Sequence, residues 1–287
     1  FNPREQSYDA AIRADSFPLN SFLPADSLGI VDLALQARGT GFDPLLPRTR
    51  TSLRAQIGRA EFGGRDFGGI ELDAELDSQR LSGRISDRDE ALRLLLSVSG
   101  TLTEREQRIG LSGSVFGFDL AALGVSPEPI GGSFALDASA SAAGKGAYAA
   151  RIALDSIEIR NKHRTDRIRP TSVSLHTDSA ATRAEAASGD LSLTFSTPQS
   201  ADSLIAALTR SARTLAGQID AQSIDMEQLK PALPDFALRV SAGPDNILNS
   251  LLKSRKIAFD ALNAEGANCD SLPVSIRLRT EGLAYGN

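Results

Sequence analysis

The sequence predicts a mainly β fold: one long antiparallel sheet with an apolar face, interrupted by a short helical segment. Apolar and polar residues alternate strictly within residues 53–57, 70–76, 108–115 and 191–195. Because the side chains of a strand point to opposite faces at successive residues, this period of two gives each strand one apolar and one polar face. Turn-forming residues separate the alternating segments, and no helical period intervenes before residue 197. These observations indicate strands that pair in sequence order.

The strand pattern occupies two parts of the chain. Residues 1–199 are predicted to form a β-groove module with a short N-terminal lead-in that contains no strand. Residues 257–287 are predicted to supply the return strands of the same module. Glycine-rich turns separate the strands, and the turn at residues 143–146 is followed by a strand rather than by the helix that a dinucleotide site requires.

Residues 200–256, between these parts, are predicted to form a helical insertion. Thr197 and Pro198 are typical of an N-cap and a first helical position. Further helices are predicted from Asp225 to Leu233 and from Asp245 through Leu252. An apolar stripe at helical spacing is predicted to dock on the sheet: Leu204, Leu208, Ala212, Leu215 and Ile219.

Composition disfavours several classes of function. The chain has 287 residues, of which 41% are hydrophobic and 5% aromatic, with no Trp, so the aromatic platforms of sugar-binding sites are scarce. A net charge of -5 and a pI near 5.2 argue against nucleic acid as a partner, because phosphate backbones attract a positive field. The single cysteine, Cys269, excludes a disulfide within the chain.

The sequence offers little catalytic chemistry. His163 and His176, with Asp178, are too few and too scattered for a zinc site, which needs three or four convergent ligands. We predict no metal, no cofactor and no catalytic residue. Three carboxylates on one strand face follow the ordinary solubilising pattern rather than that of a catalytic dyad: Glu71, Asp73 and Glu75.

Residues 162–169 contain the one basic cluster of the chain. We predict that this cluster is a solvated hairpin connection between two strands. The alternative is that it contacts anionic lipid headgroups or an acidic partner.

The candidate functional site is the apolar face itself. A one-faced sheet that curls on itself leaves a trough that takes acyl chains, each buried CH₂ contributing about 0.8 kcal/mol. Arg54, Glu71, Asp73 and Glu75 are predicted to point to solvent. The predicted lining of one continuous apolar face is Leu53, Ile57, Leu72, Leu76, Ile109, Leu111, Val115, Leu193 and Phe195.

Two segments carry a resemblance to a known family. Residues 233–253 contain a Leu-Pro turn, the turn Gly243-Pro244-Asp245-Asn246 and a leucine-bearing helix, and residues 18–29 read PLNSFLPADSLG. Both resemble the corresponding parts of TamB-like proteins of the Bacteroidetes type, and the resemblance spans most of the chain. These motifs are structural, and none carries a catalytic residue.

The resemblance implies an AsmA-like, repeating-groove protein of a Gram-negative cell envelope. The implied fold is a β-taco, a clamshell-like curved sheet with an aliphatic concave face. The full-length protein would be anchored in the inner membrane and cross the periplasm, with this chain as one internal segment. The implied function is to carry or shield phospholipid acyl chains and to support outer-membrane biogenesis and protein assembly with an outer-membrane barrel partner. The helical insertion departs from the family pattern, because it would cap a continuous groove.

Two other classes of protein fit the same alternation. A closed β-sandwich adhesin or binding module would use the apolar face as a filled core with no lipid groove. A periplasmic hydrolase would require convergent carboxylates or a Ser-His pair in a cleft.

Overall fold

The computed structural model describes residues 6–18, 28–62, 65–144, 146–162, 164–220, 233–254, 256–269 and 272–285. These residues are mainly β: 17 strands form one long antiparallel sheet, two more strands form a small second sheet, and there are two helices. The predicted mainly β, antiparallel fold is therefore confirmed. The chain divides into two compact units, of which unit 1 is Phe1–Ser141 with Leu154–Ile168, and unit 2 is Ala142–Ala153 with Arg169–Asn287.

Unit 1 is built from strands that mostly pair with their neighbours in sequence. Strand β10 (Ala147–Arg160) begins in unit 2 and ends in unit 1, where it forms a hairpin with β11 (Thr165–Ile168). The preceding strands are β1 (Ser7–Pro18), β2 (Leu28–Thr40), β3 (Arg50–Phe62), β4 (Arg65–Phe67), β5 (Ile70–Asp77), β6 (Arg80–Arg88), β7 (Leu92–Leu102), β8 (Glu106–Asp119) and β9 (Gly131–Ala143).

The register of unit 1 places apolar residues opposite apolar residues. Because side chains directly opposite each other share a face, two neighbouring rows can be read across the strands. The first row is Ile12, Leu35, Ala55, Leu72, Ile85 and Leu96. The second row is Ala10, Ala37, Leu53, Ala74, Gly83, Val98 and Leu111.

Strand β1 lies in the segment that the sequence analysis assigned to a lead-in without strands. Ala10, Ile12 and Ala14 occupy alternate positions, with Ala11 and Arg13 between them, and β1 pairs with β2 from Ser7 to Pro18 with one irregularity after Ala14. The expectation was wrong because small alanines carry a weak alternation signal. Residues 19–27, which follow β1, lie outside the described residues.

Unit 2 combines a second run of paired strands with the two helices. Its helices are α1 (Ala201–Asp220) and α2 (Ile247–Ser254). The strands are β12 (Thr171–Thr177), β13 (Thr182–Ser188), β14 (Leu191–Thr197), β15 (Phe236–Ala242), β16 (Ile257–Ala258), β17 (Ala261–Cys269), β18 (Leu272–Glu281) and β19 (Ala284–Tyr285). Strand β15 lies within the segment expected to be helical, where it pairs with β14 and β17.

Helix α2 is held by a cluster of polar side chains, which we call the asparagine hub. Asn246 accepts the N–H of Asn249 at 2.9 Å, as an N-cap does, and donates to the carboxylate of Asp190 at 2.6 Å. Asn249, which is fully buried, donates to the carbonyl oxygens of Pro244 at 3.1 Å and Phe259 at 2.9 Å. The helix predicted from Asp245 is therefore confirmed to within two residues.

The start and the buried side of helix α1 differ from the prediction. Ser200, not Thr197, is the N-cap: its hydroxyl accepts the N–H of Ser203 at 3.3 Å, and the helix begins at Ala201. Thr197 instead ends β14. The predicted helix at residues 225–233 lies outside the described residues except for Leu233, which is not helical.

The inner side of α1 is formed by Leu204, which is partly buried, and by two small residues further along the helix. Ala207 and Ser211 are 3% and 7% exposed, whereas Leu208 is 49% exposed and Ile205 63%. The expectation that Leu208 docks on the sheet was wrong, because the helix is rotated toward its small residues. The side chains of Leu215 and Ile219 lie outside the described part of the chain.

Replacing Asn249 with alanine tests the asparagine hub. Asn249→Ala leaves two carbonyl oxygens without their donor, and the one on Phe259 is buried, so we expect the free energy of unfolding to fall by about 1–3 kcal/mol. Urea denaturation at constant m-value measures the change. Asn263→Ala, at an exposed position of β17, is the matched control and should change stability by less than about 0.5 kcal/mol. Equal effects of the two substitutions would contradict the hub.

A pair of substitutions tests which side of α1 is packed. Leu208→Ala should cost less than about 1 kcal/mol, because the side chain is half exposed and its removal leaves no closed cavity. Ala207→Leu, one residue earlier, should cost about 1–3 kcal/mol by overpacking. A larger loss for Leu208→Ala than for Ala207→Leu in urea denaturation would reverse the assignment.

Candidate functional site: an apolar sheet face

The predicted site residues of unit 1 lie on one face of its sheet. Leu53 and Ile57 on β3 lie opposite Ala74 and Ile70 on β5. The same register places the remaining unit 1 candidates on this face: Leu72 opposite Ile85, Leu76 opposite Leu81, Ile109 opposite Gly100, Leu111 opposite Val98 and Val115 opposite Leu94.

The opposite face of unit 1 is hydrophilic and carries cross-strand ion pairs. Arg54 lies directly opposite Asp73 and donates to its carboxylate at 2.7 Å, which raises the pKa of the guanidinium. Arg38 pairs in the same way with Asp9 at 2.7 Å. Arg54 and the carboxylates of Glu71, Asp73 and Glu75 are all exposed, which is where the alternation places them.

In unit 2 the remaining two candidates also share a face. Leu193 lies opposite Ala186 and Val240, and Phe195 lies opposite Ala184 and Leu238. The ring of Phe195 stacks on that of Phe236, with centroids 6.2 Å apart. Leu193 and Phe195 therefore line an apolar face of unit 2, and whether this face continues that of unit 1 stays a prediction.

Few apolar side chains are buried. Among the described residues, eight apolar side chains are buried: Val31, Ala55, Leu96, Val115, Ile157, Ala207, Ala242 and Phe259. Leu53, Ile57, Leu72, Leu76 and Leu111 are only partly buried, and Ile109 is 44% exposed. Most of the apolar face thus keeps contact with solvent, which a filled core does not.

Two concavities within single units lie on the hydrophilic faces. In unit 1, one of about 780 Å³ is lined by Arg38, Arg54 and Arg84 among others. In unit 2, one of about 370 Å³ is lined by Arg239 and Glu265 among others. A twisted sheet is saddle-shaped, so each of its faces is concave along one diagonal. A hollow on the hydrophilic face is therefore compatible with a concave apolar face.

Asp87 interrupts the apolar face of unit 1. It lies opposite Leu94 and follows Ile85 by two residues on β6, so both side chains belong to the same face. Asp87 is 5% exposed. Burial raises the pKa of its carboxyl group, while a hydrogen bond from the N–H of Asp89 at 2.8 Å opposes the rise. The sequence analysis missed this residue. The signal was an acidic residue at a position of β6 where the alternation calls for an apolar one.

The side chains considered for metal binding do not form a site within the described part of the chain. His176 is exposed on β12, and the N–H groups of Ala180 and Ala181 lower the pKa of Asp178 by hydrogen bonding to it. His163 lies outside the described residues. In the described part of the chain, no three His, Cys, Asp or Glu side chains converge as metal ligands would.

Neither helix in the described ranges combines the length and the apolar character needed to cross a bilayer. Comparison of the chain with protein-family models, with curated proteins and with solved structures finds no match. The resemblance to TamB-like proteins accordingly stays a prediction. The structure defines a mainly β protein with a long antiparallel sheet. In each unit of the chain, apolar and hydrophilic side chains lie on opposite faces of the strands.

The pH dependence of stability tests the buried carboxyl group of Asp87. Its pKa is raised above the ordinary 3.8, so the native state binds more protons than the unfolded state as pH rises from that value. Stability should therefore fall through this window, and Asp87→Asn should remove that fall. Relative to the original protein, Asp87→Asn should gain stability between pH 3.5 and pH 7 in urea denaturation.

The pH dependence expected for Asp190 is opposite to that expected for Asp87. Burial alone would raise its pKa, but hydrogen bonds from Asn246 and from the backbone outweigh this effect, and its pKa is lowered. Its contribution to stability is present above the ordinary pKa and is lost as pH falls through the lowered value. Asp190→Asn should therefore lose stability relative to the original protein over the same rise in pH. Parallel pH profiles for both variants would contradict the two assignments.

Proposed function

We propose that this chain is a non-catalytic segment that binds phospholipid acyl chains on the apolar face of its sheet. The observation that carries the proposal is an apolar face that extends over successive strands of unit 1 while most of its side chains stay partly exposed. Partly exposed aliphatic side chains are costly in water, and an apolar ligand that covers them removes that cost.

The dimensions of this face suit an acyl chain. The strands β2, β3, β5, β6, β7 and β8 are successive neighbours, and five steps of about 4.8 Å span roughly 24 Å. One leaflet of a bilayer holds acyl chains about 15 Å deep, half the thickness of the hydrocarbon core. A chain lying across the strands would therefore find apolar side chains along its whole length.

One row of this face is lined mainly by small side chains. Ala37, Ala74 and Gly83 belong to the row that also contains Leu53, and the rows on both sides carry leucine and isoleucine. An acyl chain can approach the backbone more closely at these small residues than at Leu53, Val98 and Leu111 of the same row. Each CH₂ of an acyl chain buried there contributes about 0.8 kcal/mol.

The wider role that we propose rests on the resemblance to TamB-like proteins. In that role the apolar face is the concave side of a curved sheet, and the full-length protein carries or shields phospholipid in the periplasm. It supports outer-membrane biogenesis and protein assembly together with an outer-membrane barrel partner. The partly exposed apolar face supports this role and favours it over the closed β-sandwich module.

Site-specific photo-crosslinking tests acyl-chain binding. A photoreactive amino acid at Leu111 or Leu193, introduced into the full chain in cells, should capture phospholipid, identified by mass spectrometry of the purified adduct. Both positions lie on the apolar faces of their units. The matched controls are Ser112 and Ser192, which are adjacent residues on the hydrophilic faces and are exposed.

Lipid capture at Leu111 and Leu193 without capture at Ser112 and Ser192 is the expected result. Equal capture at all four positions would mean nonspecific contact with membrane. Capture of protein alone, together with purified chain that carries no lipid, would overturn acyl-chain binding and favour the closed β-sandwich module.

A further inference from the structure

A separate concavity of unit 1 is bordered by three basic side chains. It has a volume of about 370 Å³ and lies where β7 begins and β10 ends. Arg93 of β7, Arg160 of β10 and Lys162 just after β10 all line it. All three residues are exposed, so their charged groups are accessible to a ligand from solvent.

These three cations differ from their neighbours in having no ion pair among the described residues. In the same hairpin, Arg164 pairs with Asp166 at 2.7 Å, and Arg167 pairs with Glu158 at 3.0 Å. Two of the four Lys and Arg residues at positions 162–169 are thus paired within the hairpin, and a third, Arg169, pairs with Asp245 at 2.7 Å. Among the described residues of the cluster, Lys162 lines the concavity, and the other two cations come from outside the cluster.

The backbone helps to place the Arg93 guanidinium group. Arg93 lies opposite Gly117 in the β7–β8 ladder, and a Cβ at position 117 would lie 3.1 Å from Nη2 of Arg93. The absence of a side chain there lets the guanidinium group lie close over the β8 backbone at the border of the concavity.

Two carboxylates also line the concavity, and they are not equivalent. One oxygen of Asp119 accepts the N–H groups of Ala121 at 2.8 Å and Ala122 at 3.1 Å, so its charge is partly compensated by backbone donors. Glu90 is exposed and forms no ion pair among the described residues. Three cations against two carboxylates leave the concavity positively charged, in a chain whose net charge is -5.

We propose that this concavity binds the phosphate group of a phosphate ester, with Arg93, Arg160 and Lys162 as its ligands. A guanidinium group donates two parallel hydrogen bonds to phosphate oxygens, and an ammonium group adds a compact charge. The phosphate can belong to a lipid headgroup or to a soluble ester. The site goes beyond the proposed acyl-chain binding and stands without it, since a soluble phosphate ester needs no apolar face.

The test measures binding of the full chain to two probes. Inorganic phosphate, followed by calorimetry, reports the shared chemistry, and vesicles of phosphatidylglycerol or phosphatidylcholine, followed by co-sedimentation, report a lipid source. Phosphate binding with preference for phosphatidylglycerol vesicles, reversed by added phosphate, would indicate a headgroup. Phosphate binding without vesicle binding would indicate a soluble ester.

Charge-matched variants separate the site from the overall charge. The variant Arg93→Gln, Arg160→Gln and Lys162→Gln should weaken phosphate binding about tenfold or more, since hydrogen bonds to charged groups are lost. The control variant Arg105→Gln, Arg164→Gln and Arg167→Gln removes the same charge and should change binding less than about twofold.

A substitution that should strengthen phosphate binding keeps the proposal falsifiable if the triple variant does not fold. Glu90→Gln removes the uncompensated carboxylate and should tighten phosphate binding. Glu104→Gln, which removes the same charge at the other end of β7, should leave it unchanged. No measurable phosphate binding by the original chain, or equal effects of the site and control variants, would overturn the site. Vesicle binding that survives both added phosphate and the triple variant would belong to the apolar face, and calorimetry with inorganic phosphate alone would then decide the phosphate site.

Discussion

The antiparallel hydrogen-bond ladder decides which side chains meet in this protein. In unit 1 the register that sets Leu72 opposite Ile85 also sets Asp73 opposite Arg84, so both faces follow from one alignment of backbone groups. A slip by one residue would move every leucine of a strand to the hydrophilic face and every aspartate to the apolar face. The segregation of the two faces is therefore a property of the pairing, and it opposes slippage wherever apolar and charged residues alternate.

Ion pairs on the hydrophilic face mark this register but add little to the free energy of folding. Arg54 and Asp73 are well aligned at 2.7 Å, yet their side chains are 67% and 58% exposed, and exposed pairs contribute about 0–1 kcal/mol. Buried polar contacts at the ends of strands matter more. The asparagine hub fixes α2, and Thr177 accepts the N–H of Ala201 at 3.0 Å where α1 begins.

The sequence predicts those parts of the fold that depend only on the spacing of apolar residues and on turn-forming residues. Strands β3, β5, β8 and β14 follow from alternation, and the turn before β10 follows from Gly144 and Gly146, whose φ values are 60° and 84°. Strand β1 was missed because alanine is weakly apolar. The orientation of α1 was missed because leucine alone suggested its buried side, whereas tertiary packing selected Ala207 and Ser211.

The candidate site divides in the same way. Alternation places Leu53 and Leu111 on one face, because face membership is a local property of each strand. The asparagine hub and the basic concavity bring together residues that are distant in sequence, such as Arg93 and Arg160, and no period predicts which of them meet. Basic residues in the sequence pointed to 162–169, and only the ion pairs of the structure show that most of that charge is already compensated.

The apolar face and the basic concavity are both represented at the beginning of β7, by adjacent residues that point to opposite faces. Leu94 lies on the apolar face opposite Val115, while Arg93, the residue before it, points to the other face and borders the basic concavity. Asp87, opposite Leu94, places a buried carboxyl group where the apolar row ends. A phospholipid is apolar along its chains and anionic at one end, so it could use both contacts only by reaching from the apolar face to the face that carries Arg93. The two proposals therefore stay independent: a soluble phosphate ester would use the basic concavity alone, and an acyl chain would use the apolar face alone.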